Sequence, residues 1–81
     1  MATPRTYDEH LVAQAEQKAT GRLVHDFNHV RACYFYAATA EEKSEEGLEA
    51  SLKAKAIREQ QEERLRVFVA TGVIPKYKSV R

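Results

Sequence analysis

Whether the first half of this chain is one helix or two is decided by the stretch KATGRL at residues 18–23. On both sides of it, from Tyr7 to Ala37, apolar and aromatic residues recur at steps of three and four, which predicts one helix face. Gly21 interrupts this pattern, and a glycine inside a helix costs about 1 kcal/mol relative to alanine. We therefore expect a continuous or kinked helix over about 7–38, with a break at Gly21 as the alternative.

Two capping patterns indicate where helices begin. A Thr-x-x-Glu capping box occurs at residues 6–9, and a second one occurs at residues 39–42. Together with the apolar spacing, these patterns predict two long helices, over about 7–38 and about 40–71. The predicted fold is all-α, a helical hairpin that becomes a three-helix fold if the first segment is broken.

The end of the chain differs in composition from the helical segments. Gly72 and Pro75 indicate that the second helix stops there, because glycine favours a C-cap and proline cannot continue a helix. Residues 73–81 are rich in β-branched and basic side chains, which predicts an extended tail folded back onto the helical aromatics. The whole chain, 1–81, is therefore expected to be a single small helical domain.

Composition narrows the class of protein. Thirteen lysine and arginine residues against twelve acidic residues give a net charge of +1. That balance argues against a strongly basic nucleic-acid coat and against an acidic nucleic-acid mimic. No apolar run approaches the roughly 18 residues of a transmembrane helix, and a single cysteine fits a reducing compartment. We therefore expect a cytoplasmic protein with no cofactor and no membrane partner.

Three consecutive aromatic residues, Tyr34, Phe35 and Tyr36, form the most informative candidate site. Neighbouring helix positions point about 100° apart, so these three side chains cannot all face one core. Tyr34 belongs to the apolar stripe, whereas Phe35 and Tyr36 lie beside it or opposite it. Large aromatics outside a core stripe are typical of an interface. With Phe68 they form the predicted partner-binding surface, and the alternative is that the C-terminal tail covers Phe35 and Tyr36.

This surface favours a non-enzymatic protein-binding role, as a small regulator, inhibitor or accessory subunit. A lone hairpin exposes much of its apolar surface, so we also expect a homodimer. Cys33 and a nearby histidine are formally a nucleophile and a base, but they would lie on one helix, and the sequence shows no oxyanion hole, glycine loop or cleft that would favour catalysis. The alternative is a nucleic-acid-binding regulator that contacts phosphates through basic residues of the second helix and tail. These residues are Arg58, Arg64, Arg66, Lys76, Lys78 and Arg81.

Histidines one helical turn apart raise the question of a metal site. His25 and His29 have the i,i+4 spacing that can hold one ion between two imidazoles. Cys33 lies about 12 Å along the axis from His25, too far for both to share an ion easily. The histidine pair would need further ligands from Asp26 or from another chain. We therefore expect no metal, with both histidines partly buried beside the apolar stripe.

Overall fold

The computed structural model describes residues 3–43 and 48–77, and of Leu48 it describes the backbone only. This part of the chain forms three helices, which are α1 (Glu9–Lys18), α2 (Leu23–Lys43) and α3 (Leu48–Thr71). Neither described range contains a strand. The all-α prediction is confirmed. The hairpin of two long helices is not, because the chain adopts the three-helix alternative.

The break between α1 and α2 centres on Gly21. Its φ of +59° lies in the left-handed region, where a residue with a Cβ pays about 1–2 kcal/mol. At the end of α1, the amide of Ala19 donates a hydrogen bond to the carbonyl of Ala15. At the start of α2, the amide of Leu23 donates a hydrogen bond to the carbonyl of Thr20. Glycine therefore allows the chain to reverse within a few residues.

The core explains why the chain breaks there. Helix α3 contacts both α1 and α2, and the buried cluster draws side chains from all three helices. Its members are Leu11, Val12, Ala15, Phe27, Val30, Tyr34, Leu65 and Phe68. The residues of the predicted stripe do share one core, but they reach it from two helices that both meet α3. This arrangement buries apolar faces that a two-helix hairpin would leave in water.

The two Thr-x-x-Glu patterns, at residues 6–9 and 39–42, do not cap helices in the way that the sequence predicts. The carboxylate of Asp8, rather than the hydroxyl of Thr6, caps α1. The pattern at 39–42 starts no helix, because α2 continues through it to Lys43. The hydroxyls of Thr6 and Thr39 are buried and have no hydrogen-bond partner among the described residues.

The C-terminal end of α3 is confirmed. Gly72 has a φ of +80°, and its amide donates to the carbonyl of Phe68 at 2.7 Å. Residues 73–77 then run without regular secondary structure, and Ile74 packs against the core cluster. The described part of the tail therefore folds back on the helices. Over the described residues, no helix has the length and apolarity that a membrane span needs.

Arg64 fixes the position of this tail segment. Its Nε donates to the carbonyl of Pro75 at 2.9 Å, and its guanidinium lies 5.8 Å from the centre of the Tyr77 ring. A second donor of Arg64 reaches the side-chain oxygen of Gln61 at 2.8 Å, and Gln61 is itself buried. Arg64 thus satisfies a buried polar group of α3 and holds the tail with the same side chain.

Candidate functional site

Two of the four aromatic residues assigned to the partner surface lie inside the core. Tyr34 and Phe68 are each 0% exposed, and both belong to the buried cluster. Neither side chain can touch a partner while the chain is folded. The predicted surface must therefore be corrected, because the apolar stripes of α2 and α3 turn these two rings towards each other's helices.

The Tyr34 hydroxyl links α2 to the segment that precedes α1. The amide of Asp8 donates to it at 2.9 Å, and the hydroxyl donates to the carbonyl of Thr6 at 3.2 Å. The ring of Tyr7 packs on the Tyr34 ring, with 4.8 Å between the ring centres. Burial raises the pKa of Tyr34 above its usual value, and the hydrogen bond from Asp8 opposes that shift.

This tyrosine pair predicts a loss of stability at alkaline pH. Burial raises the pKa of both Tyr7 and Tyr34, so the unfolded chain releases these phenol protons at lower pH than the folded chain does. Their stabilising contribution is complete below the unfolded pKa of about 10 and is lost as the pH rises through the raised folded values. Urea unfolding at about pH 8 and about pH 11 measures the change.

Tyr34→Phe should make the free energy of unfolding less dependent on pH in this alkaline range. Tyr36→Phe, which removes an exposed hydroxyl, is the matched control and should keep the alkaline decline of the parent chain. If Tyr34→Phe and the parent chain show the same alkaline decline, the buried phenol is not its source.

Phe35 is contacted by the segment before α1. The ring of Tyr7 meets Phe35 edge-on, with 5.1 Å between the ring centres, and Phe35 is half-buried. Tyr36, by contrast, is 75% exposed, and residues 73–77 leave it uncovered. Of the four predicted aromatics, Tyr36 is therefore the one that presents a large exposed surface.

Tyr36 stands on the side of α2 that points away from the core. At 100° per residue, it lies opposite the stripe of Phe27, Val30 and Tyr34. We call this side the outer face of α2; its residues are His25, His29, Ala32, Cys33, Tyr36 and Ala40. All are exposed except the half-buried Cys33. The sequence between Arg31 and Glu41 holds no Asp, Glu, Lys or Arg, so most of the face is uncharged.

Two of the six basic residues assigned to phosphate contacts, Arg58 and Arg66, are paired with glutamates. Arg58 donates to both carboxylate oxygens of Glu41, at 2.5 and 3.4 Å, and to Glu62 at 3.1 Å. Arg66 pairs with Glu62 and Glu63. Carboxylates that share these guanidinium groups cancel most of the positive field that would attract a phosphate backbone.

Of the remaining candidates, Arg64 and Lys76 lie among the described residues. Arg64 is held between Gln61 and the tail, and Lys76 is exposed. Lys78 and Arg81 lie outside the described residues. A phosphate-binding surface needs several cations aligned along one side, so the structure gives little support to the nucleic-acid alternative.

The candidate metal ligands are arranged differently from the expectation. His25 and His29 are exposed rather than partly buried. The close pair on this helix is His29 and Cys33, whose Nε2 and Sγ atoms are 3.9 Å apart. Within residues 3–43 and 48–77, no group of three or more His, Cys, Asp or Glu side chains could hold a metal ion.

In comparisons with known proteins, no family model, no curated protein and no solved structure matches the chain. Any function must therefore be argued from the residues themselves.

Proposed function

We propose that this protein is a non-enzymatic regulator or accessory subunit that docks a partner protein on the outer face of α2. The observation that carries the proposal is Tyr36, which is 75% exposed within an uncharged stretch at residues 32–40. The solvent side of a surface helix is ordinarily polar or charged. A large aromatic ring on an uncharged helix face is more typical of an interface core.

The neighbours of Tyr36 suit the approach of another helix. Ala32 and Ala40 lie one turn before it and one turn after it on the same face, and both are exposed. Their small side chains leave room on either side of the ring, and packed helices approach to about 8–10 Å between axes. Tyrosine supplies a large contact area with a polar tip and is enriched among interface residues with high binding energy.

The charged surface of α3 supports a non-enzymatic role. An open groove runs along this helix, and its walls include Arg58, Glu62 and Arg66, which bind one another. Catalytic sites instead enclose a substrate and aim a few unpaired groups at it. The ion pairs of this groove are better explained as helix-stabilising contacts, so the exposed aromatic face remains the stronger functional candidate.

Tyr36→Ala tests the docking role. We expect the tagged full chain to capture a protein partner from the cells that produce it. The variant should weaken that complex by at least about 2 kcal/mol, or about thirtyfold in Kd. Its melting temperature should stay close to that of the parent chain, because an exposed side chain contributes little to folding. Isothermal titration and thermal melts measure both quantities.

Leu52→Ala is the matched control, since Leu52 is also apolar and 54% exposed but lies on α3. We expect it to leave the affinity unchanged. Capture that survives Tyr36→Ala and weakens steeply with added salt would contradict the proposal and would point to phosphate contacts instead.

A further inference from the structure

We propose that residues 3–7, which we call the strap, open and close over the ring of Phe35 while the three helices stay folded. The strap precedes α1 and contacts α2 beside the outer face that carries Tyr36. The inference rests on the proposed docking role of that face and names its regulation. The closed strap limits docking to Tyr36, and the open strap adds Phe35 to the same aromatic surface.

The strap contacts one side of α2 at two places about two turns apart. The ring of Tyr7 meets Phe35 with 5.1 Å between the ring centres, and the amide of Arg5 donates to the carboxylate of Glu42 at 3.2 Å. Because Phe35 and Glu42 are seven residues apart, they lie on the same side of the helix, and Thr39 lies between them on that side. The strap therefore crosses α2 at Thr39.

Closure of the strap buries two hydroxyls without satisfying them. Thr6 lies between the two strap residues that contact α2, and Thr39 lies between the two residues of α2 that they contact. Both hydroxyls are buried, and neither finds a hydrogen-bond partner in the part of the chain that the structure describes. A buried hydroxyl without a partner costs free energy that contact with water recovers. This cost brings the open strap closer in free energy to the closed one.

The helices keep their own contacts when the strap opens. The carboxylate of Asp8 caps α1 by accepting from the amide of Leu11 at 3.0 Å, and this bond lies outside the strap. Leu11, Val12 and Ala15 anchor α1 in the core cluster. The Tyr34 hydroxyl holds the strap closed, through the carbonyl of Thr6 and the amide of Asp8. A segment that depends on so few contacts opens locally, ahead of the core.

The test is amide hydrogen exchange of the full chain, followed residue by residue with NMR. The amide of Tyr7 donates to the carbonyl of Pro4, and that of Asp8 donates to the Tyr34 hydroxyl, so both are protected only while the strap is closed. We expect these two amides to exchange more slowly than in an unfolded chain, yet at least about a hundredfold faster than the amides in the middle of α3.

Three variants shift the strap in stated directions. Thr6→Val keeps the shape of the side chain without the buried hydroxyl, and it should slow the exchange of both amides about tenfold. Thr71→Val removes an exposed, hydrogen-bonded hydroxyl near the end of α3, so this matched control should leave their exchange unchanged. Tyr34→Phe keeps the ring in the core and removes the hydroxyl that holds the strap, so it should speed the exchange of the Tyr7 amide.

Access to Phe35 is measured with a soluble nitroxide, which broadens the NMR signals of exposed side chains. The broadening of the Phe35 ring signals should increase in Tyr34→Phe and decrease in Thr6→Val. The partner that the tagged chain captures should follow the same order, because apparent affinity scales with the fraction of the chain that is competent to bind. We expect Thr6→Val to weaken that complex about tenfold in Kd.

Two results on the free chain would overturn the strap: exchange of its amides no faster than that of α3, or exchange that Thr6→Val does not slow. A complex that Thr6→Val leaves unchanged would overturn its regulatory role. None of these results bears on docking by Tyr36. If Tyr36→Ala leaves capture intact while the exchange results hold, the docking proposal fails and the strap remains.

Discussion

Replacing Phe68 with alanine is expected to lower the free energy of unfolding by about 3–5 kcal/mol, because truncating a buried phenylalanine removes apolar burial and leaves a cavity. Phe68 is completely buried, in one cluster with Leu65 of its own helix and with Phe27 and Tyr34 of α2. A domain of 81 residues has a total stability of roughly 4–12 kcal/mol, so this change removes much of it. Urea unfolding followed by circular dichroism measures the loss.

Tyr36→Ala is the matched control for this prediction, because it truncates an equally large ring that is mostly exposed. We expect it to change the free energy of unfolding by about 0.5 kcal/mol or less. Comparable losses in the two variants would mean that Tyr36 is part of the core, and a small loss in Phe68→Ala would mean that Phe68 is not.

Replacing Arg58 with alanine is expected to cost about 2–3 kcal/mol of stability. Arg58 joins Glu41 near the end of α2 to Glu62 on α3, and the three side chains are only 13–16% exposed. The hydrogen bond that Arg58 donates to Glu41 raises the pKa of Arg58, although burial opposes that shift, so the guanidinium stays charged. Its removal leaves two partly buried carboxylates close together. Fully buried pairs lose about 3–5 kcal/mol, and partial exposure reduces the loss.

The contribution of the bridge itself requires a double-mutant cycle, with Arg58→Ala, Glu41→Gln and the combination. The combined variant should be more stable than the sum of the single losses implies. Arg66→Ala is the matched control: its side chain is 58% exposed, and we expect a loss of about 1 kcal/mol or less. Equal losses at Arg58 and Arg66 would contradict a special role for the bridge between α2 and α3.

The number of helices could not be predicted from the sequence alone. The apolar spacing from Tyr7 to Ala37 correctly identified residues that share a core, since Leu11, Val30 and Tyr34 are all buried. A glycine penalty of about 1 kcal/mol is too small to decide between a kink and a turn. Whether the chain kinks or turns at Gly21 depends on how much apolar surface α1 and α2 bury against α3. That burial is a property of the packed helices and cannot be read from the local sequence.

Helix periodicity alone predicts which side of α2 each aromatic residue of the candidate site occupies. The 100° step separates Tyr34, on the core stripe, from Tyr36 on the opposite side. Phe68 follows Ala54, Gln61 and Leu65 at helix spacing on α3, and all four are buried, so the same periodicity indicates the burial of Phe68. The four-residue spacing of His29 and Cys33, which brings their side chains together on α2, is visible in the sequence. The bridge from Arg58 to Glu41 spans seventeen residues and two helices, so no local signal could indicate it.

Photo-crosslinking from position 36 is the most direct test of the docking role proposed for the outer face of α2. A benzophenone side chain would replace Tyr36 in one variant and Leu52, which is exposed on α3, in the other. After irradiation in the producing cells, we expect a discrete adduct from position 36, with one partner or with a second copy of the chain, and none from position 52. No adduct from position 36, or the same adducts from both positions, would contradict it.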